Sequence, residues 1–187
     1  MDIKLVVPED RELPLRLREL ESGTPALTPV VGAFYAQAAS VCLQDQGHSS
    51  PTPMLISGEV TGSAAVEWDP TSDQIRRSWS HDKQTTEHGA YGIACVLVPQ
   101  LSGLQVVERA RIGTGVDFWL GRTDDSEWPF QNCARLEVTG IREGPKGAIG
   151  PREQRKLKQT QRSDASLLPA IVVVVEFSQP ESRVSKR

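Results

Sequence analysis

The run Ala170 to Phe177, Ala-Ile-Val-Val-Val-Val-Glu-Phe, constrains this chain more than any other feature. Its β-branched residues are stiff at χ1 and fit a pleated surface better than a helix. Successive side chains of a strand point to opposite faces, so a run that is apolar at nearly every position has to be covered on both. A central buried strand in a mixed sheet is expected, and with it an α/β fold.

The elements before that strand follow from periodicity. Ser80 to Leu101 has a polar first turn, and its body of Ala90, Tyr91, Ile93, Ala94, Val96, Leu97 and Val98 is apolar nearly all round, which predicts a helix buried on more than one side. Gln105 to Arg111, Val116 to Gly121 and Arg135 to Ile141 have the two-residue alternation or β-rich composition of strands. Pro151 to Ser163 is polar, basic and helix-competent, although Leu157 is its only large apolar residue. From Ser80 the order is helix, strand, strand, strand, helix, strand.

The first eighty residues predict a strand at Ile3 to Val7, then a helix with Thr28 as N-cap and Pro29 at its first position, ended by Gly47. A hairpin of Met54 to Val60 and Ala64 to Trp68 follows. The expected organisation is an N-terminal extension, 1–79, packed on a core, 80–187, as one compact domain. Arg183, Lys186 and Arg187 read as a short frayed tail.

Composition removes several classes of function. A chain of 187 residues can bury a core without staples, and no apolar run approaches the roughly eighteen residues of a membrane span. The N-terminus lacks a secretory pattern, so a cytoplasmic location is expected. Cys42, Cys95 and Cys133 have no short spacing, which predicts reduced, mostly buried thiols, and His48, His81 and His88 lack metal-ligand spacing. No Gly-x-Ser-x-Gly elbow is present. Trp68, Trp79, Trp119 and Trp128 read mainly as core residues, with Trp119 set on the face of Asp117. The net charge of −3 hides an asymmetry: residues 142–187 hold ten Lys/Arg against five Asp/Glu, leaving eleven against nineteen upstream. One face suited to phosphate follows.

Strand alternation picks out the chemistry. In Val116-Asp117-Phe118-Trp119-Leu120 the apolar residues share one face and Asp117 takes the other. In Arg135-Leu136-Glu137-Val138-Thr139, Leu136 and Val138 face one way while Arg135, Glu137 and Thr139 face the opposite way. Two carboxylates on adjacent strands can then converge, and each raises the pKa of the other unless a cation lies between them. Mg2+ suits such a pair, because it binds through one or two carboxylates together with water and substrate phosphate. Glu87, on one helical face with Ala90, Tyr91 and Ala94, aims a third acid at the same region.

This order, with Asp117 in Gly-Thr-Gly-Val-Asp-Phe-Trp-Leu-Gly and Glu137 in Leu-Glu-Val-Thr, resembles the PD-(D/E)xK restriction-endonuclease-like superfamily from about Ser80 to Phe177. The resemblance implies an α-β-β-β-α-β core and a Mg2+- or Mn2+-dependent nuclease. Asp117 and Glu137 would hold the metal and Glu87 would complete the set. The superfamily lysine, two residues after the second acid, is replaced by Thr139. In similar members the lysine migrates to the following helix, where Lys156 or Lys158 is the candidate here. Arg152, Arg155, Lys158 and Arg162 would hold the phosphate backbone. The implied partner is nucleic acid, DNA in preference to RNA, with a homodimer or a larger bacterial defence or DNA-processing assembly as the setting. The alternative is an inactive nuclease-like fold that binds nucleic acid or a protein.

Overall fold

The computed structural model describes residues 3–8, 11–123 and 134–187. Its strands are β1 (Leu13–Arg16), β2 (Thr52–Gly58), β3 (Gly62–Glu67), β4 (Gln105–Arg109), β5 (Phe118–Gly121), β6 (Ala134–Ile141), β7 (Ala170–Glu176) and β8 (Glu181–Lys186). The helices are α1 (Pro29–Asp45), α2 (Asp73–Ser78), α3 (Asp82–Ser102) and α4 (Ile149–Gln159), with 3₁₀ turns at Leu17–Ser22 and Thr160–Ser166. Among the described residues no helix is long and apolar enough to cross a membrane.

All eight strands form one mixed sheet in the order β1-β3-β2-β8-β7-β6-β5-β4. The protein is therefore of the α/β class, and every residue of β7 is buried, as its β-branched run requires. β4, β5 and β6 are antiparallel neighbours, and β6 pairs parallel with β7 over Arg135 to Ile141. A parallel pair needs a crossover, and α4 supplies it. α3, with α1 packed against it, covers one face of the sheet, where Ile171, Val173, Val175, Leu136 and Val138 join the main core. α4 covers the other face, where Ile149 and Leu157 meet Ile141, Val172 and Val174.

Thr28 caps α1 through its hydroxyl, which accepts the Val31 N–H, and Pro29 follows at the first helical position. α3 ends at Gly103 in the left-handed conformation, with its N–H on the Pro99 carbonyl. Two departures from the sequence reading are instructive. Ile3 and Leu5 are buried and Lys4 exposed, yet this segment is not a strand, and the Val6 N–H bonds to the Leu101 carbonyl instead. The expected frayed tail is β8, which lies between β2 and β7. Its polar side chains find partners inside the fold: Arg183 Nε donates to Glu153 Oε2 at 2.6 Å, the Ser185 hydroxyl donates to Glu153 Oε1, and Ser182 is fully buried.

The approach of α3 to β6 is set by Gly140. A Cβ at this position would lie 2.5 Å from the Thr86 carbonyl oxygen and 2.6 Å from the Thr86 methyl group. Gly140→Val is expected to push the first turns of α3 off the sheet and destabilise the fold by about 1–3 kcal/mol. Urea denaturation of the two proteins checks this through the transition midpoint.

Candidate active site

The starting segment of α3, the front of β5, the C-terminal half of β6 and one face of α4 enclose a cleft of about 690 Å³. Glu87, Tyr91, Asp117, Glu137, Thr139, Arg152, Lys156 and Gln159 all line it. Asp117 ends up here because β5 stops short. Phe118 pairs with Leu136, and past that register β6 runs on with no β5 residue in strand pairing opposite it. The Asp117 carboxylate substitutes for the missing backbone acceptor, taking the Val138 N–H on Oδ2 at 2.8 Å. It therefore lies along the strand edge, within reach of groups on both faces, instead of projecting from one face beside Trp119. From the α3 side, the Tyr91 hydroxyl sits 2.8 Å from Asp117 Oδ1 and also 2.8 Å from Glu87 Oε1.

Glu137 points from β6 to the α4 face, as alternation predicts, and is 1 % exposed. Its Oε1 accepts from Lys156 Nζ at 2.5 Å and from Gln159 Nε2 at 2.8 Å, whereas its buried Oε2 has no hydrogen-bond partner. Burial and the nearby Asp117 charge push the Glu137 carboxyl up to about 7, against the pull of Lys156. Burial and the two neighbouring carboxylates raise the Tyr91 phenol further, so it stays neutral and keeps its single proton. One proton cannot serve both Glu87 and Asp117. The other carboxylate oxygen faces a phenol lone pair, a contact that becomes favourable when a proton or a cation joins the cluster.

The helix after β6 supplies the positive charge. Arg152, Lys156 and Gln159 share one face of α4 by their i, i+4, i+7 spacing. Arg152 Nη1 donates to the Thr139 hydroxyl at 3.4 Å, so a second cation from α4 reaches β6. Lys158, the other candidate, does not take part: two residues round the helix from Lys156, it is exposed and outside the cleft. Arg155 and Arg162 are likewise exposed and away from the carboxylates. Cys42 and Cys95 are free and buried, and burial raises both thiols to about 12. Cys133 and Trp128 lie outside the described residues.

Two participants escaped the sequence reading as bridging groups, Tyr91 and Gln159. The i, i+4 relation of Glu87 and Tyr91 was the available signal for the first; nothing in the sequence marks the second. Arg109 supports Tyr91 from behind, its guanidinium 4.8 Å from the phenol ring centre and 5.3 Å from that of Phe118, with a hydrogen bond to the Tyr35 hydroxyl.

Among the described residues no group of three or more His, Cys, Asp and Glu side chains is gathered tightly enough to hold a metal ion. A site of two carboxylates is nevertheless what Mg2+ uses when phosphate and water supply its other ligands. The orphaned Glu137 Oε2, buried beside Asp117, is a hard oxygen donor with a vacant lone pair, so the residues fit such an ion. Comparison of the chain with protein-family models, with curated proteins and with solved structures finds no match.

The raised Glu137 carboxyl links the site to stability. The fold favours the protonated form, so this contribution is complete below the ordinary value of 4.5 and is lost as pH rises through about 7. Glu137→Gln is expected to abolish that part of the pH dependence, on the order of 2–3 kcal/mol between pH 4 and 8. Denaturant titrations in EDTA across this range check it.

Proposed function

We propose that this chain is a Mg2+- or Mn2+-dependent nuclease of the PD-(D/E)xK kind, hydrolysing phosphodiester bonds of nucleic acid, DNA in preference to RNA. The observation that carries the reading is the Lys156 ammonium 2.5 Å from Glu137 Oε1, which brings in from α4 the charge that Thr139 cannot provide. Asp117 and Glu137 would hold the ion, which when bound polarises the phosphate and lowers the pKa of its water.

The chain's own residues do the rest. Glu137 would hold the ion through its free Oε2 while Lys156 and Gln159 fix Oε1, and the proton of the attacking water leaves to solvent. Lys156 faces the negative charge that develops on the phosphorane, and Arg152 at Thr139 takes a non-bridging phosphate oxygen. Tyr91 fixes Asp117 from the α3 side without ionising. The exposed Arg155, Lys158 and Arg162 contact the backbone beyond the scissile phosphate. Paired cuts in duplex DNA would use two copies of the chain related by symmetry.

One observation favours a second reading, a nuclease-like fold that binds nucleic acid or a protein without cutting. Three of the four oxygens of Asp117 and Glu137 already lie within hydrogen-bond distance of protein groups.

The two readings separate in one experiment. Calorimetric titration of Mn2+ should show binding to the wild type and none to Asp117→Asn or Glu137→Gln, with plasmid cleavage lost in both variants. Lys156→Met should retain the ion and lose about 10²- to 10³-fold in cleavage rate, as when one transition-state donor is removed. A wild type that binds oligonucleotide but neither Mn2+ nor cleaves establishes the second reading.

A further inference from the structure

A second cavity, about 290 Å³, opens on the other side of the same helical turns that carry Glu87. Successive α3 residues are about 100° apart around the axis, so Glu87 lines the cleft while His88 lines this pocket. Its walls are Phe34 from α1, Trp79 from the end of α2, and His88. Phe34 is the unusual wall: a large ring left 45 % exposed although Trp79 and His88 pack against it, with centroids 4.4 and 5.0 Å away.

Ser78, His81 and Thr85 spend polar atoms on bonds within the fold, whereas two other groups of the pocket keep theirs. Gln37 Oε1 accepts the Trp79 Nε1–H at 3.2 Å, and its amide nitrogen makes no hydrogen bond among the described residues. His88 makes no hydrogen bond among the described residues, and its Nδ1 is buried and unpartnered. An imidazole in that position places its proton on Nε2, the nitrogen that is not enclosed, since a buried bare acceptor is tolerated more readily than a buried bare donor. The pocket thus offers an aromatic face and two N–H donors. An aliphatic side chain would leave both donors unpaired, whereas a planar heterocycle with ring-edge acceptors uses the face and the donors together.

We propose that this pocket binds a nucleobase of a single-stranded segment, holding the strand while a neighbouring phosphate lies at Asp117 and Glu137. The pocket itself stands on its own geometry; the placement of the phosphate rests on the nuclease reading. Phe34 stacks on the base, and His88 Nε2 and the Gln37 amide donate to its acceptors. Recognition of this kind tolerates different bases, because every base has a π face and the two N–H groups can donate to any carbonyl or bare ring nitrogen.

The test compares two labelled octanucleotides of equal charge, octathymidylate and its abasic counterpart, by fluorescence anisotropy in EDTA, where no cleavage occurs. The wild type should bind the thymidylate strand about tenfold tighter or more, as expected when stacking on an aromatic side chain is added. Phe34→Ala should close that gap and Phe34→Trp should restore it, which separates stacking from a folding defect. Equal affinity for the two strands, no affinity for either, or a gap that survives Phe34→Ala overturns the proposal. Thymidine that displaces neither strand yet binds the wild type and not Phe34→Ala reassigns the pocket to a free nucleoside and overturns the strand-holding role. Failure of the nuclease reading shows instead in Mn2+ calorimetry on Asp117→Asn, a measurement that Phe34 does not enter.

Discussion

The parallel pairing of β6 with β7 is the constraint on which the rest depends. Seven paired positions lock the two strands together, and β7 is buried on both faces by its own side chains. A parallel pair cannot be joined by a hairpin, so the connection must travel back over the sheet, and the face left for it is the one opposite α1 and α3. That face is where alternation points Glu137 and Thr139. Once α4 is pinned there by Ile149 and Leu157 on one side and by the Glu153, Arg183 and Ser185 contacts on the other, its next face has nowhere to look but at the acid. Lys156 meets Glu137 as a consequence of strand direction.

The energetics of the cleft are those of a cluster short of positive charge and of protons. Glu137 is enclosed, Asp117 is adjacent, and Glu87 shares one phenol with Asp117. The Lys156 ammonium partly offsets this, and a carboxyl held near neutrality is the visible symptom. Removing one partner from a buried ion pair leaves a charge without compensation, a larger penalty than the pair's net contribution. The arrangement is a poor source of stability.

Much of the architecture was legible because burial follows simple periods. The β-branched run at 171–175, the all-round apolar helix at 90–98 and the alternation at 135–139 each name an element and its faces. The α3-to-β7 order and the face of Glu137 follow from these. What could not be read is of two kinds. Some elements are stabilised only by tertiary partners: β8 reads Glu-Ser-Arg-Val-Ser-Lys, with a single large apolar residue, and becomes a strand because Met54, Glu153 and Ile3 supply partners for Ser182, Arg183 and Lys186. α2 is too short to show a period. Other features depend on fine geometry. Lys156 and Lys158 are two residues apart and equivalent in composition, and the helix rotation that separates them is set by the packing of Leu157 and the burial of Glu153. The Asp117 backbone still bonds to Leu136 and Ala110, but its carboxylate turns along the strand to take the Val138 N–H, and no composition rule locates that turn.

The position of β8 has a consequence for how the chain assembles. Its neighbours are β2, with Ile56 opposite Ser182, and β7, with Val173 opposite Val184. Among the described residues, the strands from the first third of the chain and those from the middle do not pair with one another in the sheet, and β8 is the seam between them. Closing that seam joins residues about 126 positions apart, a long-range contact of the kind that slows folding. Until it closes, both β2 and β7 present open edges, and β7 is four valines long at its centre. An edge like that pairs readily with another copy of itself. The speed with which a short polar strand docks therefore decides between a finished sheet and an aggregate.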